Sequence, residues 1–242
     1  MTTPRAVLFD VYATLLRVGP PPPDADAQWN RLFLDFFGAT PRLGRLEFSV
    51  ASNQCVAQQH TLARARGILF PEVQWPAIVA EALPEFASLP QAQQEEFIFR
   101  QMQIGRTLCL QAGAKEVLTF LRERGCLLGI ASNSQAYTLR ELREHLAPAG
   151  LDLDLFDRDL CFWSFAHGFS KPDPHVFQML AARLAARGLA PDEILMVGDR
   201  ADNDIEPARA FGWQTWLLAA ASAPSKPDQG TFAELLVRLR AE

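Results

Sequence analysis

From position 113 onward, apolar and polar residues come in regular blocks. Positions 114–124 place Val117, Leu118 and Leu121 on one helical face and stop at Gly125, and positions 126–131 are then wholly apolar. Positions 135–146 read as a helix, 160–163 as a strand, and 174–187 as a helix that ends at Gly188. Two more apolar runs, 194–197 and 214–218, read as strands on either side of a helix over 204–211. With the run Ala6-Val7-Leu8-Phe9 this makes five strands. Strands that are apolar throughout need cover on both faces, so the pattern predicts an α/β fold. Its core is a doubly wound, Rossmann-like parallel five-stranded sheet between helices.

The stretch between the first strand and position 113 follows a different pattern. Pro20 to Pro23 form a stiff connector, after which 24–37, 46–66, 75–86 and 91–103 read as helices with no convincing strand. This predicts an all-helical cap over 19–111, inserted into a core of 1–18 and 112–242 and lying above the carboxyl ends of the strands, where open α/β sheets bind ligands. A last helix starts at Thr231, whose hydroxyl forms a capping box with Glu234, and Phe232, Leu235, Leu236 and Leu239 would pack it on the core.

Composition narrows the class. A chain of 242 residues with 49% hydrophobic and 21% charged residues is an ordinary globular protein, with no apolar run near the ~18 residues of a membrane span. Met1 to Arg5 read as a short lead-in without signal-peptide character, which places the protein in the cytoplasm. Cys55, Cys109, Cys126 and Cys161 are widely spaced, as reduced packing residues would be. The net charge of −5 comes with no dense basic tract, which argues against nucleic acid or a membrane surface and for a small-molecule ligand.

Chemistry gathers at the strand ends. Asp10 follows the first strand, Ser132 and Asn133 the second, Lys171 the third and Asp199 the fourth, with Asp204 five residues on. Each alone has an ordinary explanation as a cap, turn or surface residue. Together, in FDVYATL, IASNS, SKPDP and VGDRADND, they resemble the four motifs of the haloacid dehalogenase-like (HAD) hydrolases, with the helical insertion between the first and second. The resemblance implies covalent catalysis, in which Asp10 attacks the substrate and water releases the product. It also implies two branches. Phosphoryl transfer uses Mg²⁺ and an acidic fourth motif, whereas 2-haloacid dehalogenases attack carbon, need no metal and carry DxYGT in the first motif. This chain has Tyr12 of the second kind and Asp199 of the first.

Charge favours the first branch. Asp10, Asp199 and Asp204 face one cation, Lys171, and two like charges about 4 Å apart cost roughly 4 kcal/mol at an effective dielectric of 20. A hard divalent cation relieves this, and Mg²⁺ suits a site with few carboxylates and phosphate oxygens to complete its shell. By resemblance, its ligands are Asp10, the Tyr12 carbonyl and Asp199, with Asp204 behind. Lys171 would hold Asp10 ionised, Ser132 and the amides of 132–134 would bind phosphate oxygens, Asn133 would contact substrate, and Thr14 would orient the nucleophile loop or the Asp10 carboxylate. Tyr12 stands where a general acid is useful but is a poor one at neutral pH. The expectation is a Mg²⁺-dependent phosphatase for a small phosphorylated molecule, best with good leaving groups. The alternatives are a metal-free dehalogenase, with Arg31 or Arg42 near the halide, and a non-catalytic domain binding a phosphorylated ligand or partner. His167, Trp163 and Phe165 lie in a loop that could reach the pocket, with core packing the expected role for most of the aromatics.

Overall fold

The computed structural model describes residues 3–219 and 226–241. Met1 and Thr2 of the expected lead-in lie outside them. In chain order come strands β1 (Ala6–Phe9) and β2 (Leu16–Gly19) and helices α1 (Ala25–Phe37), α2 (Arg45–Ala65), α3 (Trp75–Ala82) and α4 (Gln91–Gly105). Then follow β3 (Thr107–Leu110), α5 (Ala114–Glu123), β4 (Leu127–Ser132), α6 (Tyr137–Leu146), β5 (Cys161–Trp163), α7 (Ser164–His167) and α8 (Pro174–Ala185). The chain closes with β6 (Ile194–Gly198), α9 (Glu206–Ala210), β7 (Gln214–Leu218), β8 (Gln229–Gly230) and α10 (Phe232–Ala241).

Six strands form one sheet in the order β5-β4-β1-β6-β7-β8, and every pair in it is parallel. The sixth, the two-residue β8, is too short for any pattern to announce. Alternation along the strands divides the core. Val7 and Phe9 of β1 join Leu128, Ile130, Leu195 and Val197 against α5, α6 and α10 on one face. Ala6 and Leu8 join Ile194 and Met196 against Phe177, Leu180 and Leu184 of α8 on the other. α10 starts with the expected box: Glu234 N donates to Thr231 Oγ1 at 3.3 Å, and Thr231 N donates to Glu234 Oε2 at 2.7 Å.

Register is what places the chemistry. Phe9 lies opposite Ile130 on one side and Val197 on the other, so the carboxyl ends of β1, β4 and β6 meet at one edge of the sheet, β6 running one residue and β4 two residues beyond β1. The helical stretch has its own core, in which Phe97 meets Phe33, Phe36, Phe37 and Phe86 with ring centroids 5.4–5.7 Å apart.

Three local readings differ from expectation. The stretch from 19 to 111 is not free of strands: β2 and β3 form an antiparallel ribbon, Leu16 opposite Leu110 and Gly19 opposite Thr107, so the chain leaves the core and returns along paired strands. Two four-residue runs some 90 positions apart give no local signal of their pairing. The helix expected over 204–211 begins instead as a wide π-type turn at Ala201–Ile205. The alternating run after Cys161 stops at Trp163, because Ser164 starts α7. All four cysteines are free and partly buried, and burial pushes the Cys161 thiol up to about 12. No helix among the described residues is long and apolar enough to cross a membrane.

Gly129 on β4 leaves no space for a side chain: a Cβ there would sit 2.4 Å from the Leu160 carbonyl oxygen and 2.5 Å from Leu8 Cδ2. Gly129→Ala is expected to cost about 1–3 kcal/mol as a lowered urea midpoint with unchanged slope. An unshifted midpoint would contradict this packing.

Candidate active site

The site grows from the ends of four parallel strands. Asp10 follows β1 directly, and its amide donates to Val197 O at 2.9 Å, tying the loop to β6. The turn beyond it is tight, with Ala13 in the left-handed region at φ +60°, a conformation that costs a residue with a Cβ about 1–2 kcal/mol. Thr14 Oγ1 reaches back to Asp10 Oδ2 at 3.4 Å, a long contact consistent with orienting the carboxylate.

Lys171 bridges two acids. Its Nζ donates to Asp10 Oδ1 at 2.8 Å and to Asp204 Oδ1 at 2.5 Å, with all three side chains nearly closed off from solvent. Burial alone would lower the Lys171 ammonium, but the two carboxylates offset it and hold it above the usual lysine range. Burial pushes the Asp10 carboxyl up to about 6, with Asp204 and Asp199 adding to the rise and Lys171 opposing it. Asp199, half-buried, is also raised, by burial first and Asp204 second. Asp204 reaches the site because the π-type turn folds it back over Gly198, where a Cβ would lie 2.4 Å from Asp204 Cγ. Its other oxygen, Oδ2, accepts from Arg200 N at 3.1 Å.

A divalent cation fits these residues. One oxygen from each of Asp10, Asp199 and Asp204 lies within 4.8 Å of the others, and among the described residues no cation pairs with Asp199. Asp204 is already engaged by Lys171 and Arg200, as a carboxylate behind the ligands would be. Ser132 Oγ is buried and has no hydrogen-bond partner among the described residues, as has Ser134 Oγ two residues on, so the end of β4 and the loop after it present two unsatisfied hydroxyls. A phosphate has the oxygens to satisfy them.

The other expected residues have different surroundings. The Asn133 side chain closes a two-way clamp on the Lys171 backbone, donating to Lys171 O at 2.8 Å and accepting from Lys171 N at 2.7 Å. With its amide spent there, it positions the lysine loop rather than facing substrate. Arg31 is exposed on α1, and Arg42 donates to Ala82 O. Among the described residues neither arginine pairs with Asp10. His167 lies flat on Phe162 at 4.7 Å.

Tyr12 is held in a network that the sequence reading missed. Its hydroxyl donates to Glu141 Oε2 at 2.5 Å and lies 2.6 Å from Thr138 Oγ1. Glu141 is fully buried and also accepts from both Arg106, at 2.9 Å, and Gln103, at 2.9 Å. The Arg106 guanidinium stacks 4.2 Å from the centre of the Tyr12 ring and 5.8 Å from that of Tyr137. The signal was present in α6, where Glu141 falls on the same buried stripe as Thr138, Leu142 and Leu146. A carboxylate in a core position demands partners.

A buried carboxylate paired with a lysine, and a cation-sized acidic cluster, thus meet at the carboxyl edge of an α/β sheet. The family model for haloacid dehalogenase-like hydrolases matches residues 4–212, and the chain belongs to that family. Phosphoserine phosphatase of Thermus thermophilus is 32% identical over 154 residues, covering 62% of this chain and 57% of that one. The rhythmically expressed gene 2 protein of Drosophila melanogaster is 28% identical over 152 residues, covering 60% and 56%. The chain thus matches little more than half the length of these relatives. Similar folds include the 2-haloacid dehalogenase of Pseudomonas syringae pv. tomato (TM-score 0.61, 18% identity, 98% of each chain). They also include a HAD phosphatase from Thermococcus onnurineus (TM-score 0.56, 23% identity, 98% and 99% covered).

The protein has only two tyrosines, Tyr12 and Tyr137. Burial, reinforced by Glu141 and opposed by Arg106, raises both above their ordinary value of 10.0. Above pH 10 the unfolded chain therefore binds fewer protons than the folded one, and stability falls as pH rises. Tyrosinate absorbance at 295 nm is expected to appear only as circular dichroism reports unfolding. A midpoint near 10 in a folded chain would contradict the network.

Proposed function

We propose that this hydrolase is a Mg²⁺-dependent phosphatase of small phosphorylated molecules, working through an aspartyl-phosphate on Asp10. The observation that carries the reading is the charge of the cluster: of three carboxylates, Lys171 pairs with two and Asp199 has no cation among the described residues, which leaves an excess of two negative charges where a substrate anion must bind. Mg²⁺ held by Asp10, Asp199 and the Tyr12 carbonyl, with Asp204 behind, would supply the missing positive charge and polarise the phosphoryl group. Residues 1–18 and 112–242 form the catalytic core in this reading, and 19–111 form the cap, in a cytoplasmic enzyme.

The chain's own groups then divide the work. Lys171 holds Asp10 Oδ1 and keeps the carboxylate ionised, which leaves Oδ2, under only the long Thr14 contact, to attack phosphorus. The Ser132 hydroxyl donates to an equatorial phosphate oxygen. The bond to the leaving oxygen breaks with its electron pair going to that oxygen, and water later cleaves the acyl phosphate and regenerates Asp10. No proton comes from Tyr12, because its hydroxyl hydrogen is committed to Glu141 and its pKa is raised. Leaving groups that depart as stable anions, such as aryl or acyl phosphates, are therefore favoured. The similarity to a phosphoserine phosphatase supports a phosphorylated substrate, but alkyl esters of that kind should turn over slowly here.

Tyr12 beside Asp10 keeps a second reading, 2-haloacid dehalogenation. Against it stands the same excess of negative charge, which would repel the carboxylate of a 2-haloacid.

With Mg²⁺, aryl phosphate turnover is expected to exceed alkyl turnover by at least 100-fold, and Tyr12→Asp is expected to raise the alkyl rate about tenfold or more. An unchanged alkyl rate in a folded Tyr12→Asp protein would overturn the role given to Tyr12. Halide release from chloroacetate in the presence of a chelator would establish the dehalogenase instead.

A further inference from the structure

The groups that would meet substrate are closed off: Asp10 is 8% exposed, Lys171 3%, Asp204 1% and Ser132 0%. The segment 70–75, which leads from α2 into the start of α3, is bonded to the core stretch 164–170, in the loop that ends at Lys171. Ser170 N donates to Phe70 O at 2.8 Å, Glu72 N to Gly168 O at 3.0 Å, and Gln74 Nε2 to Phe165 O at 2.6 Å. Gln135, next to the anion loop, donates to Val73 O at 2.8 Å and to Glu72 Oε1 at 3.0 Å, and accepts from Trp75 N at 3.0 Å. These contacts tie the helical insertion to the two loops that flank Asp10.

One hydroxyl joins this segment to the anion loop. Ser164 Oγ, fully buried, lies 2.6 Å from Glu72 Oε2 and 3.1 Å from Ser134 O, while accepting from Ser134 N at 2.8 Å. A serine has one proton to give. The shorter contact, to a charged acceptor, takes it when 70–75 is seated. Without Glu72 in place, the same proton turns to the Ser134 carbonyl. Two buried hydroxyls of that loop, Ser132 Oγ and Ser134 Oγ, have no partner among the described residues, so the loop is held with two donors free for an anion.

We propose that Glu72 is a positioning residue for the anion loop 132–134, acting through Ser164, so that seating of segment 70–75 and binding of a phosphoryl group favour one another. The inference rests on the phosphatase reading. Coupling of this kind is reciprocal: an anion in the loop must tighten the segment by the factor by which the seated segment tightens the anion.

Two measurements on the full chain test it, with Mg²⁺ and beryllium fluoride as the phosphoryl mimic. In hydrogen exchange, the amides of Glu72 and Ser170 are expected to gain about tenfold protection on adding the mimic. In binding titrations, Glu72→Ala and Ser164→Ala are each expected to weaken the mimic about tenfold, with Glu72→Gln between them and wild type. The double variant should be no weaker than either single one, because both remove the same link. Additive losses, or no loss in a folded Glu72→Ala protein, would overturn the proposal. So would a wild-type protein that binds the mimic with no change in exchange at Glu72 and Ser170, and that result needs no variant to fold. A wild-type protein whose melting temperature the mimic leaves unmoved would instead overturn the phosphatase reading, and this inference with it.

Discussion

Lys171 lies between two carboxylates that are otherwise out of reach of water, and much of the surrounding architecture serves to keep it there. A buried acid without its cation is destabilising by about 3–5 kcal/mol, so the ammonium is a structural requirement. Asn133 grips the lysine backbone from the neighbouring loop, and Gly198 gives up its side chain so that Asp204 can pack against the strand end. Parallel pairing of β1 with β4 and β6 brings Asp10, Ser132 and Asp199 to one edge of the sheet, against the loop that carries Lys171. Asp10 is left with one oxygen held by Lys171 and the other under only the long Thr14 contact, and its charge is balanced by a group that cannot wander.

A second buried carboxylate, Glu141, works in the opposite sense. It accepts a hydrogen bond from the Tyr12 hydroxyl and is itself paired with Arg106, which leads from α4 into the return strand β3. A residue standing where proton donation would help is thereby turned into a brace. The nucleophile loop, helix α6 and the junction with the helical insertion meet in one polar cluster. The cost of burying that cluster is met by its completeness, since Glu141 is bonded from Tyr12, Gln103 and Arg106 together.

Much of this was legible before any coordinates. The strands Ala6–Phe9 and Gln214–Leu218 fall where apolar runs placed them, because a parallel sheet covered on both faces leaves an unbroken hydrophobic record. Asp10, Lys171, Asp199 and Asp204 were legible as a group because strand ends of one sheet share one edge. What escaped were relations between distant positions. The ribbon of β2 and β3 depends on a pairing across some 90 residues, and the commitment of Tyr12 to Glu141 depends on how a helix beyond the second motif is turned. Asn133 was read as a ligand contact because a loop amide looks the same in sequence whether it faces substrate or backbone. Glu141 itself is readable in the sequence, as a charge on an apolar stripe, and it is what turns Tyr12 from a poor acid into a hydrogen-bonded brace.

The β2–β3 ribbon has a consequence for how such a chain could have arisen. Neighbouring antiparallel strands run about 5 Å apart, so the entry to the helical insertion and the exit from it stand side by side, Gly19 across from Thr107. A cassette whose two ends are adjacent can be lengthened, shortened or exchanged without moving the strands that lead to Asp10 and Asp199. The insertion is thereby free to follow one history while the strand ends that hold the acidic cluster follow another.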